Sequence, residues 1–301
     1  MAITTTGSFA KALYPGLNSI WGQAYNEHEK EYVHLFDVQK SERNYEEDLG
    51  VSGYGLAPVK SEAGSISFDS EQQTFVSRYT NVVYAIGTIM SREIMEDSLY
   101  PEVGGRRTKG LAFSINQTIE TVSANKYNNA FTSGTGGDGS FLCVSTHSTA
   151  AGNQSNVLSV AADLSEASLE QMCININNST NDRGLKIAIK PQTLIVPPSL
   201  GFEAERILKS SLQNDTANNA INAIKSKGIL PGGYMVNHHL TDSDAWFIRT
   251  NCPDGLKFFM RRSPGFEMDN DSDTQNAKFL ATVRFVPGWT DFRGLHGSPG
   301  A

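Results

Sequence analysis

Arg106-Arg107-Thr108-Lys109-Gly110-Leu111-Ala112-Phe113-Ser114-Ile115-Asn116-Gln117-Thr118-Ile119-Glu120-Thr121-Val122-Ser123-Ala124-Asn125-Lys126-Tyr127-Asn128-Asn129-Ala130-Phe131 is the stretch that orders the rest of the chain. Leu111, Ile115, Ile119 and Val122 recur every three or four positions, which at about 100° per residue puts them on one arc of a helix. Neither Pro nor Gly interrupts Leu111 to Phe131, and Thr132-Ser133-Gly134 supplies a stop. Such a helix is about 30 Å long. Phe113, Tyr127 and Phe131 fall off the main stripe, so a second face is expected to be covered too. A helix covered on two sides is a spine across which strands and loops pack.

Upstream, Pro101, Gly104 and Gly105 break the chain before the spine. Gly87 to Glu93 reads as a strand end entering a short helix capped by Ser91, with Ile94 and Met95 apolar. Residues 50 to 88 carry a hairpin pattern. Gly50, Gly53, Gly55 and Pro58 interrupt the chain; then Ile66 and Phe68, Phe75, and Val82, Tyr84 and Ile86 alternate with polar or small residues. With charged turns at Lys60, Glu62, Asp69 and Glu71, the two runs form a projecting loop. An isolated two-stranded ribbon is marginal in water, so this one needs a partner surface, which in a homo-oligomer is the next subunit. Residues 1 to 50 read as an arm. Its short helix, Ser8 to Ala24, is interrupted at Pro15-Gly16 and turns Leu13, Leu17, Ile20 and Trp21 to one side.

Downstream, Gly134-Thr135-Gly136-Gly137-Asp138-Gly139 matches G-x-G-x-x-G, but it follows a helix and opens Phe141-Leu142-Cys143-Val144, read as a strand. A dinucleotide fingerprint has the opposite context, so this run is a turn. A Ser/Thr/Asn/Gly loop around His147, Gly152 and Asn156 precedes a helix over Ser165 to Ile176, capped by Ser165. Leu185 to Ile189 and Thr193 to Val196 read as strands, and Gly201 to Leu212 as a helix with Phe202, Ile207 and Leu208 inward. Strands return at 232–236, 245–248, 256–260 and 279–286.

Among the 301 residues, 39% are hydrophobic and 19% charged, below the usual charged share of about 25%. Gly (27) outnumbers Lys plus Arg (25), which favours turns and strands over helical bundles. A net charge of −7 argues against a dedicated phosphate-binding surface. Cys143, Cys173 and Cys252 lack C-x-x-C spacing and read as reduced, mostly buried thiols of a cytosolic product. The N-terminus is not of signal-peptide type, and no window approaches the length of a membrane span.

Chemistry-bearing motifs are missing or incomplete. There is no G-x-S-x-G elbow and no P-loop. Ser8 to Lys11 and Ser123 to Lys126 fit S-x-x-K without its partner motifs. His28 and His34 lack ligand spacing, and His238-His239, read as strand neighbours, point opposite ways. Asp269-Asn270-Asp271-Ser272-Asp273 opens like a calcium loop, but Thr274 stands where glycine is required and Leu280 where the bidentate glutamate belongs. The sequence therefore assigns no catalytic, cofactor-binding or metal-ligating residue, and an enzyme is not expected.

The closing run Arg284-Phe285-Val286-Pro287-Gly288-Trp289-Thr290-Asp291-Phe292-Arg293-Gly294-Leu295-His296-Gly297-Ser298-Pro299-Gly300 resembles the end of tailed-bacteriophage major capsid proteins. There an apolar strand enters Gly-Trp-x-Asp-x-Arg-Gly and then Tyr/His-Gly-Ser. It is similar above all to the Mu-like major head subunit group, whose opening Leu13-Tyr14-Pro15-Gly16-Leu17 also resembles. The order of elements agrees over nearly the whole chain, with Thr193-Leu194-Ile195-Val196-Pro197-Pro198 opening the last β-rich part.

The resemblance implies an α+β fold, that of the Hong Kong phage capsid. Its parts would be an N-terminal arm (1–50), an extended hairpin loop (51–87), a peripheral domain with the spine (88–185), an axial domain (186–274) and a return strand with tail (275–301). It implies a structural subunit that self-assembles as hexamers and pentamers into an icosahedral head shell around viral double-stranded DNA. Loop and arm would lie across neighbours, and no cofactor is implied. Portal and scaffold or decoration proteins are the expected partners. Packaged DNA would lie nearby without specific contact, and assembly would take place in the bacterial host cytoplasm. No protease-processed scaffolding segment precedes the arm, so a separate scaffold, or none, is expected. Lys60 has no cross-linking partner signature. An encapsulin-type compartment shell shares the implied fold and is the alternative, ahead of a hydrolase or ligand-binding domain.

Overall fold

Helical spacing and strand alternation meet in one core. The computed structural model describes residues 10–91, 93, 100–213, 220–270 and 276–301. In chain order the elements are α1 (Ala10–Glu27), α2 (Tyr32–Leu35), β1 (Asp37–Lys40), β2 (Tyr45–Val51), β3 (Gln73–Thr80), β4 (Val82–Met90) and α3 (Tyr100–Asn128). Then come β5 (His147–Thr149), β6 (Gly152–Gln154), α4 (Glu166–Asn177), β7 (Pro191–Val196), α5 (Gly201–Lys209) and α6 (Ala223–Lys227). The chain closes with β8 (Tyr234–Val236), β9 (Trp246–Thr250), β10 (Leu256–Asn270), β11 (Ala277–Trp289) and β12 (Leu295–Ser298).

α3 is the spine, and its 29 residues make it about 43 Å long. It starts earlier than its sequence suggests and runs through Pro101, Gly104 and Gly105. Pro101 occupies the first turn, where a backbone N–H has no helical partner to lose. Gly104 and Gly105 are buried, and a Cβ on Gly105 would already touch Ile20 of α1 at 3.7 Å. Leu111, Ala112, Ile115 and Ile119 are buried along the main stripe. Cover extends past it as expected: Thr108, Asn116, Glu120, Ser123, Ala124 and the off-stripe Tyr127 are buried too, while Phe113 is half exposed.

A four-stranded sheet, ordered β1-β10-β11-β4, lies against the spine. Along β11 the buried residues alternate as Ala277, Phe279, Ala281, Val283 and Phe285, the period of a strand with one covered face. They join Leu111, Ile115 and Ile119 in one apolar cluster, with Phe258 stacked on Phe285 at 5.1 Å. β10 continues to Asn270 and β11 spans Ala277–Trp289, both longer than their sequence patterns imply. Pro287 pairs with Phe258 of β10 on one side, while β4 stops at Val82↔Phe285 and leaves its other side unpaired, an edge position that tolerates proline. A second sheet, ordered β12-β9-β7-β8, is packed by α4, α5 and α6 around Leu169, Met172, Ile176, Ile207, Ile224 and Trp246.

α1 is continuous through Pro15-Gly16; the proline's φ near −65° is compatible with a helix, although it gives up one backbone hydrogen bond there. Leu17, Trp21 and Ala24 are buried, and Trp21 stacks on Phe266 of β10 at 5.5 Å. From Leu17 onward the apolar side of the arm packs on α3 and β10 of its own subunit.

The hairpin also differs from its sequence pattern. β2 pairs with β3 from Tyr45↔Thr80 to Val51↔Gln73, and residues 52–72 form an irregular tip, so Ile66 and Phe68 are not in a strand. β4 pairs with β11 instead. The chain turns from ribbon to sheet at Asn81, whose amide donates to Ser41 Oγ (2.8 Å) and the Arg43 carbonyl (3.0 Å). Alternation in Val82 to Met90 fits either partner; this corner selects one.

Smaller departures have local causes. Residues 141–144 form no strand; Leu142 and Cys143 are buried, and the Cys143 amide donates to Ala130. Residues 185–189 make only a single bridge, Thr180↔Lys186. α5 ends at Lys209 and turns Ala204 and Ile207 inward, leaving Phe202 exposed. His238-His239 sits on a turn, not a strand. Ser165 caps α4 as expected, in a reciprocal capping box with Ser168. The short helix expected at Ile94 and Met95 and the acidic run Asp271-Ser272-Asp273 lie outside the described residues. No helix among the described residues is long and apolar enough to cross a membrane.

Candidate assembly surface

The tip of the ribbon exposes what folding normally hides. Leu56 is 82%, Val59 99% and Phe68 92% accessible, with Ile66 and Tyr54 also outside. Side chains of this kind, gathered on one projection, mark a contact surface.

The base of the ribbon is the opposite. Lys257 of β10 is buried and holds both Asp48 of β2 (2.6 Å) and Asp254 (2.8 Å). Burial alone would push its ammonium down; hydrogen bonds to Asp254 and Asp48 outweigh this, and the net shift is upward. Thr290 donates to Asp48 at 2.7 Å and shares a hydrogen bond with the Tyr79 hydroxyl of β3. A Cβ on Gly288 would stand 2.6 Å from the Tyr79 ring, so only glycine lets that ring seat.

The glycine turn 134–139 has a related task. A Cβ on Gly136 would meet the Trp289 indole at 2.6 Å. The turn fits between Trp289 and β3, which explains its glycines without a nucleotide. Within it, Asp138 is 2.6 Å from His147 Nδ1. His147 Nε2 faces Asn156 Oδ1 at 3.2 Å, while the Asn156 amide donates to the carbonyls of Leu142 (2.6 Å) and Leu295 (2.9 Å). Both ring nitrogens thus face oxygen atoms, which fixes the orientation of the ring. Burial raises the Asp138 carboxyl, but hydrogen bonds from His147 and Ser140 outweigh that and hold it below the usual range.

Arg293 fastens the closing segment. Its buried guanidinium reaches Asp182 (2.6 Å), Asp291 (3.1 Å) and Gln154 (3.0 Å), and its Nε donates to the Thr180 carbonyl (2.9 Å). His296 lies deeper still, and burial, with smaller effects of His147 and Arg293, pushes its imidazole down to about 3.

A third titratable group joins arm to spine. Glu120 of α3 accepts the Tyr32 amide at 2.9 Å, at the start of α2. Burial pushes its carboxyl up to about 7; the Tyr32 amide opposes the shift and Glu31 adds to it. Glu31 itself holds His238 at 2.5 Å.

The groove of about 470 Å³ beside the ribbon base is lined by Asp48, Asp254, Lys257, Asp291 and Arg293, which are spent on one another. No cluster able to hold a metal ion occurs among the described residues. The three cysteines are buried, and burial raises each thiol, that of Cys173 to about 11. Sequence reading found the closing motif but not its partners Asp48, Gln154 and Asp182, which lie 111 or more positions away and carry no local signal.

The model of a phage capsid protein family matches residues 75–296. No curated protein matches the chain. Among solved structures, the capsid of an empty GTA particle is similar at 12% identity and a TM-score of 0.56, with 90% of each chain covered. A virus-like particle from Pyrococcus furiosus is similar at 14% and 0.52, covering 94% of this chain and 98% of that one. Mycobacterium phage Che8 follows at 14% and 0.51, with 89% and 90% covered. At these identities the likeness is one of fold: the α+β architecture of the Hong Kong phage capsid.

Proposed function

Since the chain belongs to the phage capsid protein family, we propose that it is the major head subunit of a tailed phage, forming hexamers and pentamers that close into an icosahedral shell around double-stranded DNA. The observation that carries this reading is the ribbon: locked at its base, apolar and uncovered at its tip. Contacts between different patches of identical subunits generate rings, and rings of two sizes close a shell. Fold and family are structural ones, and the chain acts by binding copies of itself.

In this reading residues 1–50 are the arm, 51–87 the extended loop, 88–185 the peripheral domain, 186–274 the axial domain and 275–301 the return strand with tail. The two separate four-stranded sheets support a division into a spine body and a β-rich body; β10 and β11 pair in the first and β12 in the second, so on this division the axial stretch would end before Leu256 and not at 274. Portal and scaffold or decoration proteins would join the subunit in the host cytoplasm. A net charge of −7 suits a container that does not grip its DNA. A compartment shell of the same fold would enclose enzymes instead; the family match favours the phage head.

Negative-stain microscopy and sedimentation of the expressed chain test the reading. Shells or capsomers are expected. Replacing residues 54–70 with a two-residue Asn-Gly turn is expected to leave a folded subunit that no longer assembles. A monodisperse monomer at high concentration, or normal shells from the shortened chain, would overturn it.

A further inference from the structure

We infer that Arg183 is a post that fixes the direction in which the extended loop leaves its subunit, by clamping Asp69 and the backbone of Ser70. The inference rests on the reading that the loop tip meets a neighbouring copy.

The clamp joins residues 113 and 114 positions apart. Arg183 Nη1 lies 2.5 Å from Asp69 Oδ2, and Nη2 donates to the Ser70 carbonyl at 2.8 Å. Asp69 collects more: the Gly55 amide donates to the same Oδ2 at 2.8 Å, and the Ser70 amide to Oδ1 at 2.9 Å. Both legs of the loop therefore converge on one carboxylate, and that carboxylate converges on one guanidinium. The Gly55 amide first, then Arg183, hold the Asp69 carboxyl below its usual range. Nearer the ribbon, the Ser52–Gln72 pair closes the loop, through the Ser52 amide to the Gln72 carbonyl (2.9 Å) and the Gln72 amide to Ser52 Oγ (3.1 Å), and Tyr54 and Glu71 join the two legs side chain to side chain. The apolar tip side chains pack on nothing in their own subunit, as their exposure shows. Among the described residues, Arg183 thus supplies the hydrogen bonds that tie the loop beyond Ser52 and Gln72 to the subunit body.

The post itself does not swing. Asn181 Oδ1 accepts the amides of Arg183 (3.0 Å) and Leu185 (2.8 Å), closing a tight turn that Gly184 completes at φ +80°. Gln154 donates to the Asn181 carbonyl at 2.9 Å. The neighbouring Asp182 carboxylate and Thr180 carbonyl hold buried Arg293, at 2.6 and 2.9 Å. The loop direction is in this way set from the closing segment of the chain. A planar, two-pronged guanidinium suits the task, because it fixes an angle as well as a distance.

The test pairs charge reversal with a readout that needs no assembly. Arg183→Asp and Asp69→Arg are each expected to fold with an unchanged melting temperature, and to need about tenfold more protein to form shells, the scale of one charge-assisted two-pronged contact. In the unassembled subunit, a lysine-specific protease is expected to cut after Lys60 several-fold faster in either single variant than in the parent. Equal cutting rates would overturn the clamp even if no shells form, whereas a parent that never assembles would sink only the shell reading. Single variants that assemble at the parent's concentration or below it would also overturn it.

Discussion

β10–β11 and β2–β3 are both antiparallel strand pairs, and they are stabilised in opposite ways. The first is long, covered by α3, and buries Phe258, Phe279 and Phe285 completely. The second buries Ser77 and Tyr79 along its strands and leaves Leu49, Phe75 and Val76 half exposed. Burying a large apolar side chain contributes about 1.5–3 kcal/mol, so one pair is stable within its subunit while the other must draw on polar anchors at its base and on contacts beyond it. The difference teaches that one motif serves two tasks, and that cover, not pairing, separates them.

The comparison breaks most visibly at the anchor. Arg293→Ala strands Asp182 and Asp291, and is expected to cost about 3–5 kcal/mol, read as a lower melting temperature or lost soluble subunit. A melting temperature equal to the parent's would mean that Arg293 does not fasten the closing segment.

An intermediate effect is expected where arm meets spine. The Glu120 carboxyl, pushed up to about 7 when folded and ordinary when unfolded, binds its proton more tightly in the native state. Its contribution is therefore fully present near pH 4 and is lost as pH rises through 7. Glu120→Gln keeps an acceptor for the Tyr32 amide and is expected to remove most of this pH dependence, raising stability at pH 8 relative to the parent by about 1–2 kcal/mol after solvent screening. Thermal melts from pH 5 to 8 that stay parallel for the two proteins would show that the carboxyl carries no such linkage.

The smallest effect belongs to the tip. Phe68→Ser is expected to change subunit stability by less than about 0.5 kcal/mol, since nothing in the subunit packs on it. A larger loss in a denaturant titration of the unassembled chain would mean the tip folds back on its own core.

What the sequence made legible follows from range. The Leu111-Ile115-Ile119 arc, the Ser165 cap and the alternation of β11 are local signals, and the elements formed. The closing Gly-Trp-x-Asp-x-Arg-Gly run pointed to the fold because each of its residues meets a fixed partner: Gly288 the Tyr79 ring, Thr290 Asp48, Arg293 Asp182. Pairing choices were not legible. Val82 to Met90 alternates equally well for a ribbon or a sheet, and only the Asn81 corner decides. Pro15 and Pro101 read as breaks because local propensity ignores the tertiary surface that holds α1 and the start of α3. Asp69 and Arg183 carry no pattern at all, being brought together only by the folded turn at 180–184.

β1, paired in parallel with β10 at Asp37↔Lys257 through Lys40↔Met260, has a mechanical consequence. A strand sewn into the principal sheet cannot slide without breaking its backbone ladder, so the start of the chain and the strand before its end are fixed to each other. Residues 52–72 carry no such ladder, and beyond the Ser52–Gln72 pair their direction is left to contacts made by side chains.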